Sequence, residues 1–154
     1  MSNGSALTTL SNVADTSAPG CELVRQWLRE YNWAANSDFM ARMEQPENRP
    51  RTLVLLANTD SEIVGGLFAE TQLAWLRISI VAVDPNWRSQ GVGTALLREA
   101  EREAIVRECK YAYVDTMDYQ AQGFYVAQGF TQIGEIPDWD SCGHSKLYFS
   151  KHLR

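Results

Sequence analysis

The chain has 154 residues, 45% hydrophobic and 21% charged, which is length for one domain of ordinary globular composition and excludes a disordered or fibrous protein. A net charge of −5, from 19 acidic and 14 basic side chains with no Lys/Arg run, argues against nucleic acid or an anionic membrane surface as a partner. Cys21, Cys109 and Cys142 are odd in number and lack a Cys-x-x-Cys, so no disulfide framework or zinc knuckle is expected, and a reducing cytoplasm is the simplest setting.

In chain order, residues 1–20 are rich in Ser, Thr, Asn, Ala and Gly, without the basic start and apolar run of a secretory signal. The first five residues are expected to be flexible, and Ala6–Leu10 is a short candidate strand. From Cys21 to Asn36, Leu23, Val24, Trp27, Leu28, Tyr31 and Ala35 recur at steps of three and four, which predicts a helix with one buried face. Phe39, Met40 and Met43 continue helically to Pro46, and Gln45–Pro50 is a loop. Thr52–Ala57 and Ile63–Ala69 read as a hairpin around Asn58-Thr59-Asp60-Ser61, with Gly65-Gly66 as a bulge. Trp75–Val83 is the longest strand candidate and is closed by Asp84-Pro85. Ser89–Glu108 follows as a helix on the row Val92, Leu96, Ala100, Ala104. Tyr111–Thr116 is a strand, Gln120–Gln128 a short helix stopped by Gly129, and Phe130–Ile136 and Ser145–Ser150 are closing strands. The order β-α-β-β-β-α-β-α-β-β predicts an α/β (α+β) fold with a mixed sheet, one domain over residues 1–154. Trp27, Tyr31, Trp33, Trp75 and Trp139 read by default as core or interface, and Trp139, in a loop, is also placed to line a cleft.

The chemistry concentrates in Val81-Ala82-Val83-Asp84-Pro85-Asn86-Trp87-Arg88-Ser89-Gln90-Gly91-Val92-Gly93-Thr94, where a strand enters a tight turn and then a glycine-punctuated helix start. The first turn of a helix has unpaired N–H groups and a partial positive charge, and glycines let a phosphate approach them. Arg88 at the mouth adds a charge-assisted donor. A P-loop would need Lys after the second glycine, and a dinucleotide fingerprint would need Gly or Ala at Leu96, so both fail on the residues that bind.

The run Arg88-x-x-Gly91-x-Gly93 after Val83-x-Pro85-x-Trp87 resembles the acetyl-CoA signature of the GCN5-related N-acetyltransferases (GNAT). A second segment agrees: Asp118-Tyr119-Gln120-Ala121-Gln122-Gly123-Phe124-Tyr125-Val126-Ala127-Gln128-Gly129-Phe130 is similar to that family's Asn-x-x-Ala-x-x-Phe-Tyr-x-x-x-Gly-Phe. The close resemblance covers roughly Ile78 to Gly134. It implies the GNAT fold, acetyl-CoA as co-substrate, no metal, and direct transfer of an acetyl group to a primary amine of a small molecule or peptide, with a homodimer as one assembly. It implies that main-chain groups of Val81 and Val83 hold the pantetheine arm, and that a backbone N–H near Val83 holds the developing oxyanion. Arg88, Gln90, Gly91, Val92, Gly93 and Thr94 would hold the pyrophosphate, and Tyr125 would protonate the leaving sulfur. Asp118 departs from the family's Asn: it can cap the short helix, but when ionised it cannot donate to a cofactor.

The acceptor needs a base, because a lysine-like amine of pKa ~10.4 is neutral at pH 7 only at a cost of roughly 4–5 kcal/mol. Glu70, Asp84, Asp115, Asp118 and His144 are the candidates. Glu70 is the carboxylate to test first, and His144 is the side chain type that titrates nearest neutrality. Two rival readings remain open at this point: a non-catalytic acyl-CoA-binding module, and a transferase of another acyl group.

Overall fold

The computed structural model describes residues 9–154, in two compact units that divide between Pro46 and Glu47. In the first, α1 (Cys21–Ala35) and α2 (Ser37–Glu44) are separate helices, because Asn36 leaves the helical region and its side chain accepts from the Phe39 N–H at 3.2 Å. The helical continuation expected after Asn36 is thus a second helix with its own N-cap. The apolar stripe of α1 is not buried: neither helix holds a buried residue, and Trp27 and Tyr31 are 57% and 70% exposed. Periodicity dictates which residues share a face, but two short helices enclose no core by themselves. The candidate strand Ala6–Leu10 lies outside the described residues up to Thr8, and Thr9 and Leu10 are irregular.

The second unit opens with a single 3₁₀ turn and builds one sheet. Its strands are β1 (Arg51–Asn58), β2 (Ile63–Gln72), β3 (Trp75–Val83), β4 (Tyr111–Met117), β5 (Thr131–Ile136) and β6 (Lys146–His152), in spatial order β1-β2-β3-β4-β6-β5. All neighbours are antiparallel except β3 and β4, which are parallel and joined through α3 (Val92–Val106). Two connections must run back along a face of the sheet, this one and the link from β4 to β5, which are parallel with β6 between them. A short helix, α4 (Gln122–Ala127), links β4 to β5.

Strand alternation decides what α3 covers. Leu53, Leu67, Ala69, Leu76, Ile78, Ala112, Val114, Leu147 and Phe149 point to one face, where Leu96, Leu97, Ala100 and Ala104 of α3 meet them. Ala100 and Ala104 are fully buried, and their small side chains let the helix lie close to the strands. Two polar clasps hold α3 in place. Arg107 donates to the carbonyls of Arg51 and Thr52 and to Thr71 Oγ1, and Lys151 Nζ reaches both Glu101 oxygens at 2.7 and 2.8 Å. Val54, Leu56, Phe68 and Ile80 occupy the other face and are 44–51% exposed. None of the five aromatic residues assigned by default to core or interface is buried.

Two local expectations are corrected. Gly65 and Gly66 pair regularly with Ala57 and Leu56; the register shift falls one residue earlier, with Asn58 opposite Ile63. The long helix starts at Val92 rather than Ser89, because Ser89 (φ 59°) and Gly91 (φ 84°) take the left-handed conformation. At the other end the sequence signal holds. Gly129 (φ 85°) closes α4, with N–H bonds from Gly129 to Val126 and from Phe130 to Tyr125.

Candidate active site

The site begins where β3 and β4 part. Their ladder runs from Trp75–Tyr111 to Ile78–Val114 and then stops. Beyond it, β3 stays paired to β2 as far as Val83, while Asp115, Thr116 and Met117 of β4 stay paired to β6. Ser79 is the irregularity: Phe68 faces Ile80 and Ala69 faces Ile78, so Ser79 has no opposite residue, and a bulge bends the strand where the ladder ends. The Asp84 N–H donates to Val64 of β2. By the alternation of an extended strand, the main-chain groups of Val83 and Val81 point the other way, toward the gap. This leaves a short row of backbone donors and acceptors beside an opening, the arrangement an extended amide-bearing ligand requires.

The gap leads to the start of α3. Asp84 caps a one-turn 3₁₀ helix, accepting from the Asn86 N–H at 2.8 Å. Arg88 Nε donates to the Val83 carbonyl at 3.3 Å, and Gln90 Nε2 to the Asn86 carbonyl at 2.9 Å. The turn is therefore self-braced, and α3 begins at Gly91 with no side-chain cap. Its first N–H groups are open to an anion. Nothing lies within 4 Å of where a Cβ on Gly91 would sit, and a Cβ on Gly93 would make only ordinary contacts with Phe124 and Val83. Internal packing therefore demands neither glycine; Gly91 is favoured by its left-handed φ of 84°, and Gly93 leaves the backbone open at the helix start. Val92 packs against the core cluster, and Thr94 Oγ1 accepts from Gln128 Nε2 at 3.1 Å, which ties α3 to the end of α4.

Tyr125 is 4% exposed, its ring held among Phe124, Phe130 and Phe149. Its hydroxyl makes no hydrogen bond among the described residues, yet it is not sealed from solvent. Burial pushes the phenol up to about 12, and the Asp115 carboxylate adds to the shift. The unfolded chain therefore ionises first, and stability is lost as pH rises from about 10 through about 12. Urea unfolding across that range should show the wild type losing roughly 2 kcal/mol that the Tyr125→Phe variant retains. Equal losses in both proteins would show that this phenol does not carry the shift.

Asp118 does not cap α4: that helix starts from Ala121 without a side-chain cap, and Gln120 accepts instead from the Met117 N–H and Thr116 Oγ1. Asp118 joins the end of β4 to the start of β6, donating its N–H to the Ser145 carbonyl and accepting the Ser145 N–H on Oδ2, both at 2.9 Å. Its Oδ1 is buried without a partner among the described residues. An acceptor in that state is open to any O–H or N–H donor from outside the chain.

His144 precedes this stitch. Its Nδ1 lies 2.6 Å from Asp140 Oδ2, and its ring meets Tyr119 edge-on. Asp140 Oδ1 also accepts the N–H groups of Cys142 and His144. Partial desolvation pushes the Asp140 carboxyl up, but those N–H donors and the imidazole outweigh it and hold the group below the usual carboxylate range. Lys146 pairs with Asp115 at 3.2 Å and lies over the Trp139 ring. Glu70 stands apart. It faces Arg77 across the β2–β3 ladder at 3.4 Å and lines a recess of about 360 Å³ with Trp75, Tyr113 and Ile133. The structure thus brings Asp118 and the His144–Ser145 segment together at one corner, buries Tyr125 within range of the Asp115 charge, and leaves Glu70 in a separate recess, held by an arginine. Sequence reasoning missed Asp140 as the partner of His144. The Asp-x-x-x-His spacing was visible, but in a loop it has no fixed geometry.

Six strands with a single parallel pair that separates beside an uncapped helix start define an acyltransferase architecture. The acetyltransferase (GNAT) family model matches residues 21–130, and the chain belongs to that family. It is 35% identical over 144 residues to an acetyltransferase of Agrobacterium fabrum, covering 94% of this chain and 97% of that one. It is 38% identical over 81 residues to the blasticidin-S acetyltransferase of Streptomyces morookaense, covering 51% of this chain and 58% of that one. The crystal structure of an acetyltransferase from Bacillus cereus superposes with a TM-score of 0.72 at 24% identity, covering 95% and 98% of the two chains. The protein is an acetyltransferase enzyme of the GNAT family, with the mixed sheet expected of it. Among the described residues no helix is long and apolar enough to cross a membrane.

Proposed function

We propose that this enzyme moves an acetyl group from acetyl-CoA directly to a primary amine of a small molecule or peptide, and that residues 1–154 act as one transferase domain. The observation that carries the reading is the parting of β3 from β4 above an uncapped, glycine-led helix. Val81 and Val83 would pair with the pantetheine amides through their main chain, and a backbone N–H near Val83 would meet the developing oxyanion. Arg88, Gln90, Gly91, Val92, Gly93 and Thr94 would hold the pyrophosphate. Val92, Gly93 and Thr94 do so by backbone N–H, since the Val92 side chain is turned to the core and the Thr94 hydroxyl is engaged by Gln128. Asp118 Oδ1, acceptor-only and unpartnered, suits a ligand N–H, which is the reverse of what an Asn could donate.

Acetyl transfer forms a nitrogen–carbon bond and breaks a carbon–sulfur bond, so the chain must take a proton from nitrogen and steady the departing thiolate. The unbonded Tyr125 hydroxyl is the group we assign to the sulfur. His144 is the base, with its Nε2 free of hydrogen bonds among the described residues. Glu70, apart from His144 and already held by Arg77, is assigned no part in the proton transfer. The kinship with a blasticidin-S acetyltransferase supports a small-molecule amine, and the three free thiols suit a cytoplasmic setting.

Mixing the protein with acetyl-CoA and a panel of blasticidin S, spermidine, an aminoglycoside and a peptide with a free N-terminus should release CoA thiol with at least one amine, and mass spectrometry should show one added acetyl group. Binding of acetyl-CoA with no release from any amine would favour the regulatory module. Faster release from longer acyl thioesters would reassign the acyl group.

A further inference from the structure

The loop between β5 and β6 is over-determined for a surface turn. Asp138 (φ 50°), Ser141 (φ 59°) and Gly143 (φ 92°) take left-handed backbone conformations, which Asp adopts more readily than Ser. Asp138 Oδ1 accepts the Gly143 N–H at 2.7 Å, the Trp139 N–H donates to the His144 carbonyl at 2.8 Å, and Asp140 Oδ1 gathers the Cys142 and His144 N–H groups. The outcome of this bracing is one side-chain contact, His144 Nδ1 to Asp140 Oδ2 at 2.6 Å. A carboxylate can only accept, so the proton of a neutral His144 is held on Nδ1 and the lone pair is left on Nε2. The stitch from Ser145 to Asp118 ties the residue after His144 to the residue that follows β4, the strand bordering the gap.

We infer that Asp140 is a positioning residue that holds His144 in the tautomer whose Nε2 takes the acceptor's proton. The inference rests on the transferase reading above. As the amine nitrogen bonds to the acetyl carbon, its proton passes to Nε2, the carbon–sulfur electron pair leaves with the thiolate, and His144 returns the proton to solvent. Asp140 stays ionised throughout and steadies the imidazolium.

Asp140→Asn is the discriminating variant. Its amide oxygen can still receive the backbone N–H groups that brace the loop, while its NH₂ must donate to Nδ1 and so drives the proton onto Nε2. With acetyl-CoA and the fastest amine of the panel, both Asp140→Asn and His144→Ala should lower kcat roughly 100-fold with KM for acetyl-CoA unchanged. The double variant should be no slower than His144→Ala alone, because Asp140 acts through His144. Nitrogen-15 NMR of the imidazoles should show the proton on Nδ1 of His144 in the wild type and on Nε2 in Asp140→Asn, with His152 as internal reference. Multiplicative losses in the double variant, or an unmoved proton in Asp140→Asn, would overturn the inference and leave a merely structural brace. Full turnover by His144→Ala would overturn it too, yet would leave the transferase reading intact, because that reading stands on amine-dependent release of CoA thiol by the wild type.

Discussion

Acetyl-CoA and CoA should raise the melting temperature of this protein substantially, and ATP and NAD should not. A ligand that binds only the folded state at a thousandfold excess over its Kd adds about 4 kcal/mol, or roughly 10 °C for a chain of this size. The discrimination follows from the turn at Arg88–Thr94, which offers backbone N–H groups and one guanidinium but neither the lysine of a P-loop nor the third small residue of a dinucleotide fingerprint. Gly91→Val should abolish the shift. Two effects act there and can be separated. A β-branched residue at φ 84° is strained, so the free variant should melt earlier than the wild type. The valine side chain would also project into the open space before the first turn of α3, where nothing lies within 4 Å. Strain cancels when each protein is compared with itself, with and without acetyl-CoA, and blocking does not. An undiminished shift in Gly91→Val would remove this turn from the binding site, and a flat response of the wild type at millimolar acetyl-CoA would remove the whole reading.

Tyr125→Phe should lower kcat about 10- to 100-fold while leaving acetyl-CoA binding nearly intact. The structure sharpens why the loss belongs at the modest end. A thiol has a pKa near 8.5, so a thiolate leaves partly unaided, and this phenol, at about 12, is a far weaker acid than the thiol it would produce. Outright proton transfer from oxygen to sulfur is therefore uphill, and in the proposed role the hydroxyl would act as a hydrogen-bond donor to the departing sulfur while solvent supplies the proton. The corresponding change in barrier is ~1.4–2.7 kcal/mol. A tyrosine that only packs would behave differently, with lower stability and full turnover in the folded fraction. Turnover and melting temperature measured on the same variant separate the two cases, and full turnover with reduced stability would retire Tyr125 from the chemistry.

The element order could be read from the chain because each signal is local. The apolar run Trp75–Val83 and the stop at Asp84-Pro85 define β3 to the residue, and Gly129 ends α4 by a backbone conformation that other residues adopt at a cost. The row Val92, Leu96, Ala100, Ala104 placed α3, although its start moved three residues once Ser89 and Gly91 turned left-handed. The candidate phosphate-binding turn was legible for the same reason: backbone N–H groups, glycines and an arginine within seven residues need no distant partner to be recognised.

The sequence by itself therefore determined the family, the strand–turn–helix unit and the candidate set Arg88–Thr94 and Tyr125. Only the tertiary structure decided where β3 leaves β4, because the end of a ladder depends on register with strands far along the chain. It likewise moved Asp118 from a helix cap to a clasp on Ser145, 27 residues away, and left its second oxygen buried and unpartnered. It took Glu70 out of the free carboxylates by setting Arg77 opposite it, and it paired His144 with Asp140 through a loop whose left-handed residues no periodicity encodes. The physical division is between interactions that close within a few residues, where spacing alone fixes geometry, and contacts between distant segments, whose geometry exists only after the sheet has chosen its register.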